Sequence, residues 1–90
     1  MAWYVYLLRC GDGSLYAGAT TDLDARLAAH RAGKGARYTR GRGPLALVHH
    51  EEVPDRGSAL RRECELKRLR RADKLRLVRA KRARLEAGPR

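Results

Sequence analysis

Two short apolar runs separated by a glycine-flanked turn constrain this chain more than any other feature. Trp3 to Arg9 (WYVYLLR) is aromatic, β-branched and leucine-rich, as suits a buried strand. Gly11-Asp12-Gly13 then supplies turn chemistry and Leu15 to Ala19 resumes an extended pattern, which predicts a β-hairpin. Side chains alternate across a strand, so the loop length decides which residues meet. A two-residue turn at Asp12-Gly13 pairs Arg9 with Tyr16 and sends Tyr6 to the opposite face. A three-residue loop, Gly11 to Gly13, pairs Leu8 with Tyr16 and brings both phenols to one face.

The rest of the chain reads as helices and one more strand. Thr21 suits the cap of a helix, with Asp22 and Asp24 set favourably against its N-terminal dipole. Leu23, Leu27 and Ala28 mark its apolar stripe, and Gly33 stops it. The glycine-rich stretch 33–43 (GKGARYTRGRG) carries four cations and reads as a loop. Leu45 to Val53 is a third strand, ended by Pro54. Ser58 caps a long helical stretch from Ala59, with Leu60, Cys64, Leu66 and Leu69 as its apolar stripe. A break near Arg70–Ala72 precedes a last helix through Leu75, Val78 and Leu85, which Gly88-Pro89 ends. The order β-β-α-β-α-α predicts an α+β fold, a small three-stranded antiparallel sheet flanked by helices. Ninety residues hold one domain; its bounds are drawn at 1–80, with 81–90 a basic helix end and tail.

Charge is distributed unevenly along this frame. Residues 1–55 carry 7 basic and 6 acidic groups, whereas residues 56–90 carry 14 basic and 4 acidic. A near-neutral half joined to a strongly basic one is the footprint of a polyanion binder, with nucleic acid the expected partner. A solvated, arginine-rich helix face is the plain alternative. No apolar run approaches the ~20 residues that cross a bilayer, and no leader pattern opens the chain. Cys10 and Cys64 are far apart and the histidines are scattered, so neither a disulfide framework nor a zinc cage is expected. Both thiols read as buried or half-buried side chains in a reducing compartment, and the expected location is cytoplasmic.

Tyr4-Val5-Tyr6 and Tyr16-Ala17-Gly18 resemble the paired elements that name the GIY-YIG nuclease superfamily. Tyr4 replaces the usual glycine of the first element, and Ala17 the isoleucine of the second. Ala25-Arg26-Leu27 and His30 on the next helix, and Glu63 on the helix after the third strand, fall in the order of that family's arginine, helix His or Tyr, and metal-binding acid. Gly33 to Thr39 and Arg61-Arg62-Glu63 resemble its small, free-standing, single-domain bacterial branch. The likeness spans roughly residues 3–78. It implies the GIY-YIG fold and a catalytic set of Tyr6, Tyr16, Arg26, His30 and Glu63. For both phenols to serve one site the hairpin must take the three-residue form, with Gly13 left-handed.

The chemistry of these groups suits phosphodiester hydrolysis. Glu63 supplies one hard carboxylate, and Mg²⁺ or Mn²⁺ held by one carboxylate plus phosphate and water is a normal arrangement. From spacing alone, Glu63 equally forms an i,i+4 pair with Lys67; the resemblance makes it the metal ligand. Arg26 presents a planar fork to phosphate oxygens at any relevant pH, and the resemblance implies that it stabilises the transition state. One helical turn on, His30 suits orienting water or accepting a proton near neutrality. The resemblance makes one tyrosine the general base and leaves open which. A phenol needs nearby cations to act so.

Lys34, Arg37, Tyr38, Arg40, Arg42 and Lys67 are the expected nucleic-acid contacts, through salt-sensitive bonds to the backbone. The chain has neither Asn nor Gln, which argues against bidentate reading of adenine and for choice by shape. The expected activity is metal-dependent endonucleolytic cleavage, with DNA preferred over RNA and directed by structure or damage. No obligate protein partner and no membrane are expected. The alternative is a non-catalytic module binding DNA or structured RNA on the same scaffold.

Overall fold

The computed structural model describes residues 2–87, with side chains through Lys81. Strand β1 (Trp3–Arg9) is the centre of a three-stranded antiparallel sheet, flanked by β2 (Leu15–Thr20) and β3 (Ala46–Val53) in the order β2-β1-β3. Its unbroken apolar run fits the only strand with a neighbour on either edge, and Val5 to Leu8 are all buried. Three helices complete the expected order: α1 (Leu23–Arg31), α2 (Arg56–Arg68) and α3 (Arg71–Ala87).

The hairpin takes the three-residue form. Leu8 pairs with Tyr16 and Tyr6 with Gly18. The Cys10 N–H donates to Ser14 O at 2.8 Å, and Gly13 has φ +85°, a conformation that penalises any Cβ. Asp12 Oδ1 accepts from the Ser14 N–H at 3.0 Å and braces the turn. Between β1 and β3 the register slips at Leu7/Leu8, with Val48 as the extra residue of a bulge.

Alternation then divides β1 between two faces. Val5 and Leu7, with Ala17 of β2, bury against Ala59 and Leu66 of α2, joined by Leu77 and Val78 of α3. On the opposite face Tyr6 and Leu8 meet Leu23 and Leu27 of α1. The first face also holds a polar tie. Arg62 of α2 grips Glu51 of β3 through two hydrogen bonds, of 2.8 and 3.0 Å, and His49 shares a third with Glu51 at 2.7 Å. Burial opposes the charge on Glu51, yet these bonds outweigh it and lower its pKa.

Several local expectations shift. The cap of α1 is Asp22, not Thr21, its carboxylate accepting from the Ala25 N–H at 3.0 Å. The cap of α2 is Asp55, accepting from the Ser58 N–H at 2.7 Å, so that helix starts three residues before Ala59. In both cases a carboxylate is the stronger partner for the N-terminal dipole. The buried stripe of α2 is Ala59, Leu66 and the half-buried Leu69, while Leu60 and Cys64 face outward. Cys10 is buried as expected. Helix α3 runs unbroken through residue 80, across the boundary drawn between body and tail. The side chain of Leu85 and the stop at Gly88-Pro89 lie outside the described residues. No described helix is long and apolar enough to cross a membrane.

Leu66 is fully buried where α2 meets the sheet. Leu66→Ala is expected to destabilise the fold by about 2–5 kcal/mol through lost burial and a residual cavity, read as a lower urea midpoint at unchanged m-value.

Candidate active site

The site forms because one phenol crosses a strand. Tyr6 lies opposite Gly18, and a Cβ at Gly18 would stand 2.5 Å from the Tyr6 Cζ. Glycine therefore leaves the room through which the ring passes over β2. Its hydroxyl ends 2.8 Å from His30 Nε2, and Arg26 Nε–H donates to it at 3.4 Å. Both partners sit on α1, one turn apart. Asp22 fixes the start of that helix. Its end is closed by Gly33 N–H to His30 O (3.0 Å) and Lys34 N–H to Ala29 O (2.8 Å), a Schellman arrangement with Gly33 at φ +77°.

Tyr16 occupies the same face. Its ring meets the His30 ring edge-on at 5.4 Å and stacks on Tyr38 at 5.7 Å, the planes 23° apart. Glu63 comes from α2, which packs on β2 and β1. Its carboxylate adds to burial in raising the Tyr6 pKa, and Lys67 stands one turn further along α2. Tyr6, Tyr16, Arg26 and His30 thus meet on one face, drawn from β1, β2 and α1, while Glu63 stands on α2 beside Lys67.

The electrostatics assign these groups different characters. Burial pushes the Tyr6 phenol above its ordinary range; Arg26 pulls it down, but less, while Tyr16 and Glu63 push the same way as burial. Cations do not make this phenol a ready base. The bond to Tyr6 raises the Arg26 pKa further, so the guanidinium stays charged. Burial, helped by Arg26, lowers the His30 pKa. The His30 ring is 1% exposed, with both nitrogens within hydrogen-bond reach of side chains: Nε2 of Tyr6, Nδ1 of Thr39 at 2.8 Å. The expected contact of His30 with water is corrected accordingly. It braces Tyr6 from within.

The basic residues divide too. Lys34 and Arg37 are exposed. Arg40 donates through Nε to Gly33 O at 3.2 Å. Arg42, exposed, pairs with Asp12 at 2.5 Å and lies 4.4 Å over the Tyr38 ring. Lys67 is 2.7 Å from Glu63, so the i,i+4 pair does form. Sequence reasoning passed over Asp12 as a charge partner and Thr39 as a buried hydroxyl. Nothing in the local pattern around either one signals those roles.

Glu63 is the one acid of the set, its side chain 19% exposed beside a surface cavity of about 200 Å³ lined with Leu60, Cys64 and Lys67. Among the described residues no three His, Cys, Asp or Glu gather as a metal cage. A single reachable carboxylate does not fit zinc, which takes three or four protein ligands. It fits Mg²⁺ or Mn²⁺ completed by phosphate and water.

Residues 2–76 match the family model of the GIY-YIG catalytic domain. A UPF0213 protein of Natronomonas pharaonis is 53% identical over 75 residues, covering 83% of this chain and 88% of its own. One of Staphylococcus haemolyticus is 48% identical over 75 residues, with coverage of 83% and 92%. The solution NMR structure of a UPF0213 protein from Bacillus halodurans is similar at TM-score 0.56 and 49% identity, covering 99% of this chain and 89% of that one. The solution NMR structure of the protein EF2693 from E. faecalis gives 0.62 and 35%, covering 92% and 88%. None of these names states an activity.

Two outcomes are expected of the site itself. Gly18→Ala forces a methyl into the Tyr6 ring and should cost roughly 1–3 kcal/mol, measured by urea unfolding. Folded His30 holds its proton less well than the unfolded chain, whose value is 6.5. The stability it contributes is complete above that pH and is lost as pH falls towards the lower folded value. Ring titration by NMR should place its midpoint below 6.5; a midpoint above it would contradict this environment.

Proposed function

The chain belongs to the GIY-YIG nuclease family, and from that membership we propose that it is a metal-dependent endonuclease hydrolysing phosphodiester bonds in DNA. The observation that supports this most is the convergence of one guanidinium, two phenols and one imidazole from three different elements, with a carboxylate on α2 whose charge acts on one of those phenols. A solvated helix face does not require that convergence, and hydrolysis of a phosphodiester does.

Water must attack phosphorus as the bond to the leaving oxygen breaks, and the water's proton needs an acceptor. Arg26, its Nε turned to Tyr6 and Tyr16 beside it, is the group that binds the non-bridging oxygens. Tyr6 is 2% exposed and engaged by His30 and Arg26, so its part is to hold the guanidinium. Tyr16, half-exposed on the same face, is the residue that meets the attacking water and, having first released its own proton to solvent, takes the water's proton as a phenolate. His30 keeps Tyr6 in place. Glu63 would hold Mg²⁺ or Mn²⁺, which supplies positive charge for the leaving oxygen.

Lys34, Arg37 and exposed cations of α2 and α3 such as Arg68 and Arg79 are offered to the sugar-phosphate backbone. Without Asn or Gln to read base edges, substrate choice rests on shape, at branched or damaged DNA. The two unpaired cysteines suit a reducing, cytoplasmic setting.

Purified protein with Mg²⁺ or Mn²⁺ should nick supercoiled plasmid DNA, and Glu63→Ala should not, while still binding DNA in a salt-sensitive way. Arg26→Ala should lower kcat by on the order of 10²–10³-fold. Tyr16→Phe should cost roughly 10²-fold or more. A Glu63→Ala protein that nicks like wild type defeats the assignment of the acid. Salt-sensitive binding without cleavage by any variant, wild type included, would mark a binding module instead.

A further inference from the structure

The basic loop between α1 and β3 carries one buried hydroxyl. Thr39 is 2% exposed amid Arg37, Tyr38, Arg40 and Arg42. The loop winds around it in successive turns: Thr39 N–H to Ala36 O at 3.2 Å, then Arg42 N–H to Thr39 O at 3.2 Å. Its Oγ1 lies 2.8 Å from His30 Nδ1 and 3.0 Å from Ala36 O. The loop backbone also lies against the imidazole, since a Cβ at Gly35 would stand 2.6 Å from the His30 Cγ. The loop thus holds the ring by its face and by one nitrogen.

We propose that Thr39 is a positioning residue, coupling the conformation of the basic loop to the phosphate-binding guanidinium of Arg26 through His30 and Tyr6. The inference rests on the nuclease reading for its kinetic consequence, but the coupling itself stands on geometry. Ala36 N–H, a donor that cannot rotate, points at His30 Nδ1 at 3.3 Å. Thr39 Oγ1, which donates its one proton to Ala36 O at 3.0 Å, lies 2.8 Å from the same nitrogen. On the far side of the ring Nε2 lies 2.8 Å from the Tyr6 oxygen, which accepts from Arg26 Nε–H at 3.4 Å. The imidazole thus bridges the loop to the phenol that orients Arg26. A loop that lifts its cations from the surface withdraws Thr39 from Nδ1, and the imidazole loses the contact that fixes it on the loop side. Substrate phosphates held by Lys34 and Arg37 would favour the seated loop, so the arrangement that binds DNA also aims Arg26.

Nitrogen-15 NMR of the His30 ring and the Arg26 Nε–H in the full chain tests the coupling without any turnover. Wild type should show one defined ring tautomer. Thr39→Val should move both signals and Thr39→Ser should restore them. In a Tyr6→Phe background, Thr39→Val should still move His30 but no longer Arg26. Thr39→Ala carries the same comparison if the valine variant does not fold. In cleavage assays Thr39→Val should lower kcat by roughly 10–100-fold with KM for DNA unchanged, whereas a merely collapsed loop would raise KM. The proposal is overturned if wild-type His30 populates both tautomers, or if Arg26 ignores the loss of the hydroxyl. A wild type that cuts no DNA with either metal sinks the nuclease reading alone, because the NMR comparison still decides the role of Thr39.

Discussion

The passage of the Tyr6 ring over Gly18 is the contact on which the rest of the site depends. A three-residue hairpin puts the two tyrosines on one face, and the missing side chain at Gly18 lets one of them cross β2. The phenol oxygen then meets α1, where a histidine and an arginine one turn apart close on it from two sides. A longer side chain at Gly18 or a register slip by one residue would turn Tyr6 away and leave α1 with no polar anchor on the sheet.

Burial and charge divide the work among residues that look alike on paper. The two phenols differ in access: Tyr6 is enclosed and braced, Tyr16 is open to one side and stacked on Tyr38. The cations differ in the same manner. Arg26 is half-buried against a phenol, Arg42 is neutralised by Asp12 and laid over an aromatic ring, and Arg62 ties α2 to β3 through Glu51. Among the described residues, part of the positive charge is thus engaged within the protein, while the loop, α2 and α3 keep exposed cations such as Lys34, Arg68 and Arg79.

The fold was largely legible in the sequence. Strong β residues, the Gly-Asp-Gly turn and the Gly33 stop are local signals, and each placed its element within a few residues. The requirement that Tyr6 and Tyr16 share a face even selected the loop length, which the register confirms. Helix starts were read less well, because Ser, Thr and Asp all suit an N-cap and only backbone geometry chooses among neighbours. The stripe of α2 was rotated in the reading: Leu60 and Cys64 fit a helical period equally well, but Ala59 and Leu66 are the ones that meet the sheet.

Sequence by itself determined which chemical groups are present, in what order, and on which type of element, since residue type, turn chemistry and periodicity act over a few neighbours. Tertiary structure alone decided their partners. That Thr39 reaches His30, that Asp12 absorbs Arg42 across thirty positions, and that His30 is sealed from water follow from packing between distant segments. Such contacts leave no periodic trace along the chain, because a side chain's proton affinity and reach are set by what closes over it in space.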